Sequence, residues 1–171
     1  MKDSVTLLAR AFGCHLGDGC NQCGWCCHFR KPNDLTSDED FSLRKYVCET
    51  QGVVYIFPLS KYSASLSLDE KNRMLKLAKE LNVEIKIIPK RVYFAGVVID
   101  YSFDHDVCPF LIKKGEVNYE CRIHNERPQI CKIFPGKPED AFFKIDLKPY
   151  GRLSNDKFEE IISGLKKALD L

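Results

Sequence analysis

Cys20, Cys23, Cys26 and Cys27 form one block, C-x2-C-x2-C-C, and cysteine returns at Cys108, Cys121 and Cys131, about eighty residues further on. Two-residue gaps let a tight loop turn consecutive thiolates inward onto one metal. Bacterial-type iron–sulfur runs use C-x2-C-x2-C, and structural zinc sites use C-x2-C pairs. Thiolate ligation of a metal is the chemistry these residues point to. Cys27 is harder to place beside Cys26, because adjacent residues of an extended or turned segment point apart. Either Cys27 serves a second centre, or one of the pair is not a ligand. Seven thiols exceed the four that one tetrahedral zinc or one cubane cluster requires. Two four-ligand sites need an eighth donor, from His28, His105, His124 or Cys14. One four-cysteine site with three spare thiols is equally allowed by counting.

The remaining candidates have plainer readings. Cys48 falls within a helical pattern and reads as a core or surface thiol, since free cysteine packs as a small hydrophobe. Trp25 reads as a hydrophobic cover over the centre. Asp104 and Asp106 flank His105, a pattern typical of a turn. Arg122, Arg127 and Lys132 flank the second cysteine group. Four thiolates around Zn2+ or an oxidised [4Fe–4S] core leave about two negative charges, and nearby cations can balance them. Arg127 is the cation expected closest to the centre; its other reading is a solvated charge or an anchor to a backbone carbonyl.

Twenty-six basic and twenty-four acidic residues leave a formal charge of +2, which gives no reason to expect nucleic acid or a membrane surface as partner. The first residues, MKDSVTLLARAFG, are too short and too interrupted by Asp3 and Arg10 for a secretory signal, and no run approaches the roughly 20 apolar residues of a membrane span. A cytoplasmic location is expected, where reducing conditions favour thiolates for metal over disulfides.

At 171 residues the chain reads as one domain with a core of its own. Val5, Leu8, Ala9 and Phe12 stand at helical spacing, and the cysteine block follows in a glycine-bearing loop. Thr36 with Glu39 forms a capping box for a helix to about residue 50, with Gly52 as its stop. Residues 53–57 read as a strand. Ser67 with Glu70 caps a second helix that carries Met74, Leu77, Ala78 and Leu81 on one face. Residues 84–88 and 92–103 read as strands. Residues 108–112 and 116–122 read as a hairpin turning over Lys113, Lys114 and Gly115. A short helix is expected from about Asn125, with Pro128 in its first turn and Pro135 stopping it. The last helix, 155–169, carries Phe158, Ile161, Ile162, Leu165 and Leu169 on one face. The expected class is α+β: a small, mostly antiparallel sheet with four to five helices around a cysteine-ligated metal centre.

The sequence C-x2-C-G-x-C-C at 20–27, C-P-F-L at 108–111 and C-R-I-H-N-E-R-P-Q-I-C-K-I-F-P at 121–135 resembles the YkgJ-type CxxCxxCC cysteine-cluster family, described as chelating zinc or iron. The resemblance covers residues 12–136 approximately. It implies metal ligands at Cys20, Cys23, Cys26, Cys27, Cys108, Cys121 and Cys131. His124 departs from it, because the family more often carries tyrosine there. The family includes flagellin lysine N-methylases, so the resemblance also offers S-adenosylmethionine as cofactor and a protein as substrate. Arg127 would then be a candidate for the cofactor carboxylate, which guanidinium grips bidentately. The chain has no glycine-rich nucleotide fingerprint and no C-x3-C-x2-C radical-type spacing. The leading expectation is an iron–sulfur protein with a [4Fe–4S] cluster; the rival is a zinc-fixed interaction module or metal carrier.

Overall fold

The computed structural model describes residues 27–28, 35–115, 118–133 and 152–171. Helix α1 (Ser37–Gln51) starts where the capping box predicts: the Thr36 hydroxyl accepts from the Glu39 amide and the Glu39 carboxylate accepts from the Thr36 amide. Gly52 ends it in the left-handed region at φ 65°, its N–H reaching the Cys48 carbonyl. That conformation costs an L-residue roughly 1–2 kcal/mol. Gly52→Ala should therefore lower stability by about 1 kcal/mol in chemical denaturation. An unchanged midpoint would show that the helix end relaxes.

Strand β1 (Val53–Tyr55) leaves α1 directly, and β2 (Ser65–Leu66) leads into α2 (Leu68–Glu80). The Ser67–Glu70 capping box starts α2, and Met74, Leu77 and Ala78 are buried as expected. Leu81, expected on that face, is exposed because the helix ends there. Asn82 at φ 51° and the Val83 N–H on the Ala78 carbonyl close a Schellman-type end.

Strands β3 (Ile87–Tyr93) and β4 (Val98–Phe103) correct the sequence expectation. The apolar run 92–103 is not one strand. It is folded into a hairpin at Phe94, Ala95 and Gly96, with Gly96 at φ 81° and its N–H on the Tyr93 carbonyl. A lone glycine in a strand pattern marked the turn. The sheet order is β1-β3-β4-β2, antiparallel throughout. A second hairpin pairs β5 (Leu111–Lys113) with β6 (Tyr119–Cys121). Helices α3 (Gln129–Ile133) and α4 (Asn155–Ala168) complete the described residues. The α+β class is as expected, with four α-helices among the described residues. None of the helices described is long and apolar enough to cross a membrane.

Two apolar clusters hold these elements. The first gathers Leu66, Met74, Leu77, Ala78, Phe103, Phe110 and Ile123, from β2, β4, α2 and the loops beside the second hairpin. The second gathers Cys48, Val54, Ile56, Val92, Phe158 and Leu165, joining α1 and α4 to β1 and β3. Arg44 ties α1 to the rest: its Nε donates to Asp40 at 2.8 Å, its Nη1 donates to the Tyr55 carbonyl, and the Asp40 carboxylate accepts the Leu59 N–H.

Candidate metal centre

The C-P-F-L segment is a turn, not the strand start that its pattern suggested. Leu111 N–H returns to the Cys108 carbonyl at 3.0 Å, with Pro109 in the first central position, where its fixed φ suits a type I or II turn. Phe110 then drops into the first cluster, fully buried and edge-on to Phe103. Its burial anchors the turn and leaves Cys108 half-buried at the rim.

Cys121 lies opposite Leu111 in the hairpin register, and the Arg122 N–H donates to the Phe110 carbonyl. Cys108 and Cys121 thus occupy the same end of the hairpin, both packed against the first cluster. Cys27, the last thiol of its sequence block, meets Cys108 through main chain: the Cys108 N–H donates to the Cys27 carbonyl at 2.6 Å. The His28 ring stands edge-on to Tyr119, two residues before Cys121, with centroids 5.3 Å apart.

Beyond Cys121, Ile123 is buried and a 3-10 turn (His124–Glu126) leads to Pro128 and α3, where Cys131 is half-buried. The N–H groups of Cys131 and Lys132 both reach the Pro128 carbonyl. Two residues of α2 hold this segment. Glu70 accepts the Ser67 N–H on one carboxylate oxygen and the Gln129 N–H on the other, at 2.9 and 2.6 Å. Burial raises its pKa, but those amide donors, the Ser67 hydroxyl and the Arg73 charge outweigh it and leave the carboxyl below its ordinary value. Arg73 Nη2 donates to the Arg127 carbonyl. Glu70 read from sequence as a cap alone, and Arg73 carried no signal at all. Their second role depends on α3 arriving from about sixty residues away.

Arg127 stands in this turn with its Nε donating to the His124 carbonyl at 2.7 Å. Arg122 is exposed and reaches the Leu81 carbonyl. Asp104 and His105 anchor a loop: Asp104 pairs with Lys61 and Lys86, and His105 Nε2 accepts the Lys86 N–H. Cys48 is buried in the second cluster, and burial, then the Glu49 charge, pushes its thiol up to about 11.

No disulfide joins any two of the described cysteines, and no three described His, Cys, Asp or Glu side chains stand as a closed metal-holding group. Cys14, Cys20, Cys23, Cys26, Trp25, Pro135 and the expected helix at residues 4–12 lie outside the described residues. What the described part contributes is Cys27, Cys108, Cys121 and Cys131 on separate short segments. At least two of them rest on one apolar floor, a donor set whose chemistry fits zinc or iron.

Residues 19–149 match the family model CxxCxxCC, described as "Putative zinc- or iron-chelating domain". The chain belongs to this family of metal-chelating cysteine-cluster domains. No curated protein and no solved structure matches it.

Proposed function

We propose that the chain holds a [4Fe–4S] cluster, with Cys20, Cys23, Cys26, Cys27, Cys108, Cys121 and Cys131 as the pool from which its ligands come. The observation that carries this reading is the main-chain bond from Cys108 to Cys27. It supports bringing the end of the N-terminal block to the turn that bears the first thiol of the second group. Cys121, at the same hairpin end, supports it further. When bound, such a cluster supplies one-electron transfer. The chain's own part is to hold thiolates on short, braced segments and to keep water from one side. Phe110 and Ile123 serve the second purpose, since both are buried beneath the thiol-bearing loops.

Arg127 braces the turn between Cys121 and Cys131 through the His124 carbonyl and lends its charge to an anionic centre. A carboxylate of S-adenosylmethionine, and with it methylation of a protein lysine, is a further use of the same arginine that rests on the family resemblance alone. The deciding measurement is metal and sulfide analysis of protein isolated without oxygen. Brown protein containing iron and acid-labile sulfide is the expected result. Colourless protein with stoichiometric zinc would replace the cluster by a structural zinc site, and protein without metal would end both.

A further inference from the structure

Two buried polar atoms among the described residues lack a hydrogen-bond partner: His124 Nε2 and Arg73 Nε. They belong to one corner of the molecule. Arg73 Nη2 donates to the Arg127 carbonyl at 3.4 Å, and Arg127 Nε donates to the His124 carbonyl at 2.7 Å. Leaving a buried polar atom unpaired costs roughly 1–3 kcal/mol. Native structures tolerate few of these, and each calls for a water, an ion or a chemical role.

A neutral imidazole nitrogen can accept from a guanidinium N–H, yet these two atoms do not pair with each other. Each is available to something else. An imidazole with its proton on Nδ1 offers a lone pair at Nε2, which suits a metal ion; a guanidinium N–H suits an anion. A thiolate-held metal centre presents both, since its metal accepts a nitrogen ligand and its sulfurs carry the negative charge. Along the chain, His124 lies between two of the candidate thiols. His124 follows Cys121 by three residues and precedes Cys131 by seven. Buried Ile123 fixes the start of its turn, and Arg127 grips its carbonyl. A ligand held this way loses little freedom on binding.

We infer that His124 Nε2 is a nitrogen ligand of the metal centre, which is therefore a mixed thiolate–imidazole site, and that Arg73, whose Nε is buried, is a second cation facing it. The inference rests on the metal-centre reading above and adds a donor to it.

The test uses the full chain as isolated without oxygen, with its native metal. For an iron cluster, pulsed electron paramagnetic resonance of the reduced protein should show a strongly coupled histidine nitrogen that changes when 15N-histidine is incorporated. For zinc, X-ray absorption should show a nitrogen neighbour at about 2.0–2.1 Å beside sulfur at about 2.3 Å. His124→Phe should remove that nitrogen signature and weaken metal retention by about 10–100-fold or more, the range seen when even outer partners of metal ligands are lost. His105→Gln, which alters a histidine committed to the Lys86 amide, should change neither. If wild type binds metal through sulfur alone, or keeps the nitrogen signature in His124→Phe, His124 is no ligand while the cysteine centre stands. If wild type binds no metal, both readings fall. The wild-type spectrum decides the matter even if His124→Phe does not fold.

Discussion

Cys108→Ala should lose its metal under conditions that saturate the wild type, whereas Cys48→Ala should retain the wild-type content. The two thiols differ in everything that makes a ligand. Cys108 is half-buried at the rim of a proline turn, its backbone bonded to Cys27. Cys48 is buried in the second cluster with its thiol pushed up to about 11, so it keeps its proton where the thiolate is the binding form. Structural zinc sites bind with roughly 10–16 kcal/mol shared among four ligands. One ligand's part is then about 3 kcal/mol, a loss of more than about 100-fold in affinity. Cys48→Ala should cost about 1 kcal/mol of fold stability and nothing in metal. Equal metal loss in the two variants, measured by competition with a chromophoric chelator, would show that the cysteines are wrongly sorted.

Phe158→Ala should be the most damaging single change on the opposite cluster, costing about 3–5 kcal/mol. Phe158 is fully buried, stands edge-on to Phe41 at 5.2 Å, and lies beneath the Arg44 guanidinium at 5.9 Å. Removing its ring opens a cavity between α1 and α4 and strips Arg44 of one aromatic face. Leu75→Ala, at an exposed position on α2 that alanine suits well, should stay within about 0.5 kcal/mol. Urea titrations of the two variants give the comparison. Similar small losses in both would mean that α4 is not seated as described. The family match ends at residue 149, before α4 begins, so this helix completes a core that the matched residues alone leave open.

Most helices were legible because their signals are local. Thr36 with Glu39 and Ser67 with Glu70 put complementary hydrogen-bonding groups three residues apart, and each box formed. The apolar stripe of Phe158, Ile161, Ile162 and Leu165 found the sheet by the same 3.6-residue logic. Strand boundaries were less legible. Val92, Tyr93, Val97 and Val98 are all good strand residues, and only Gly96 betrayed the bend between them. In the cysteine region, residue type told the chemistry and spacing told the grouping. The bond from Cys108 to Cys27 spans 81 residues, beyond anything periodicity can express. Glu70 and Arg73 escaped for the same reason. Their partners on the Cys121–Cys131 segment, more than fifty residues away in sequence, become neighbours only in the folded chain.

The two apolar clusters share no residue, and the thiol-bearing loops lean on the first while α4 leans on the second. A ligand that binds only the folded state raises the free energy of those openings that would release it and leaves others untouched. Metal should therefore slow amide exchange in β5, β6 and the segment from Ile123 to Cys131. Amides in α1 and α4 that exchange through openings confined to their own cluster should keep their pace. With metal at the proposed ligands, the molecule would be a clasped half beside an unclasped one, its metal a local brake on opening before a global stabiliser.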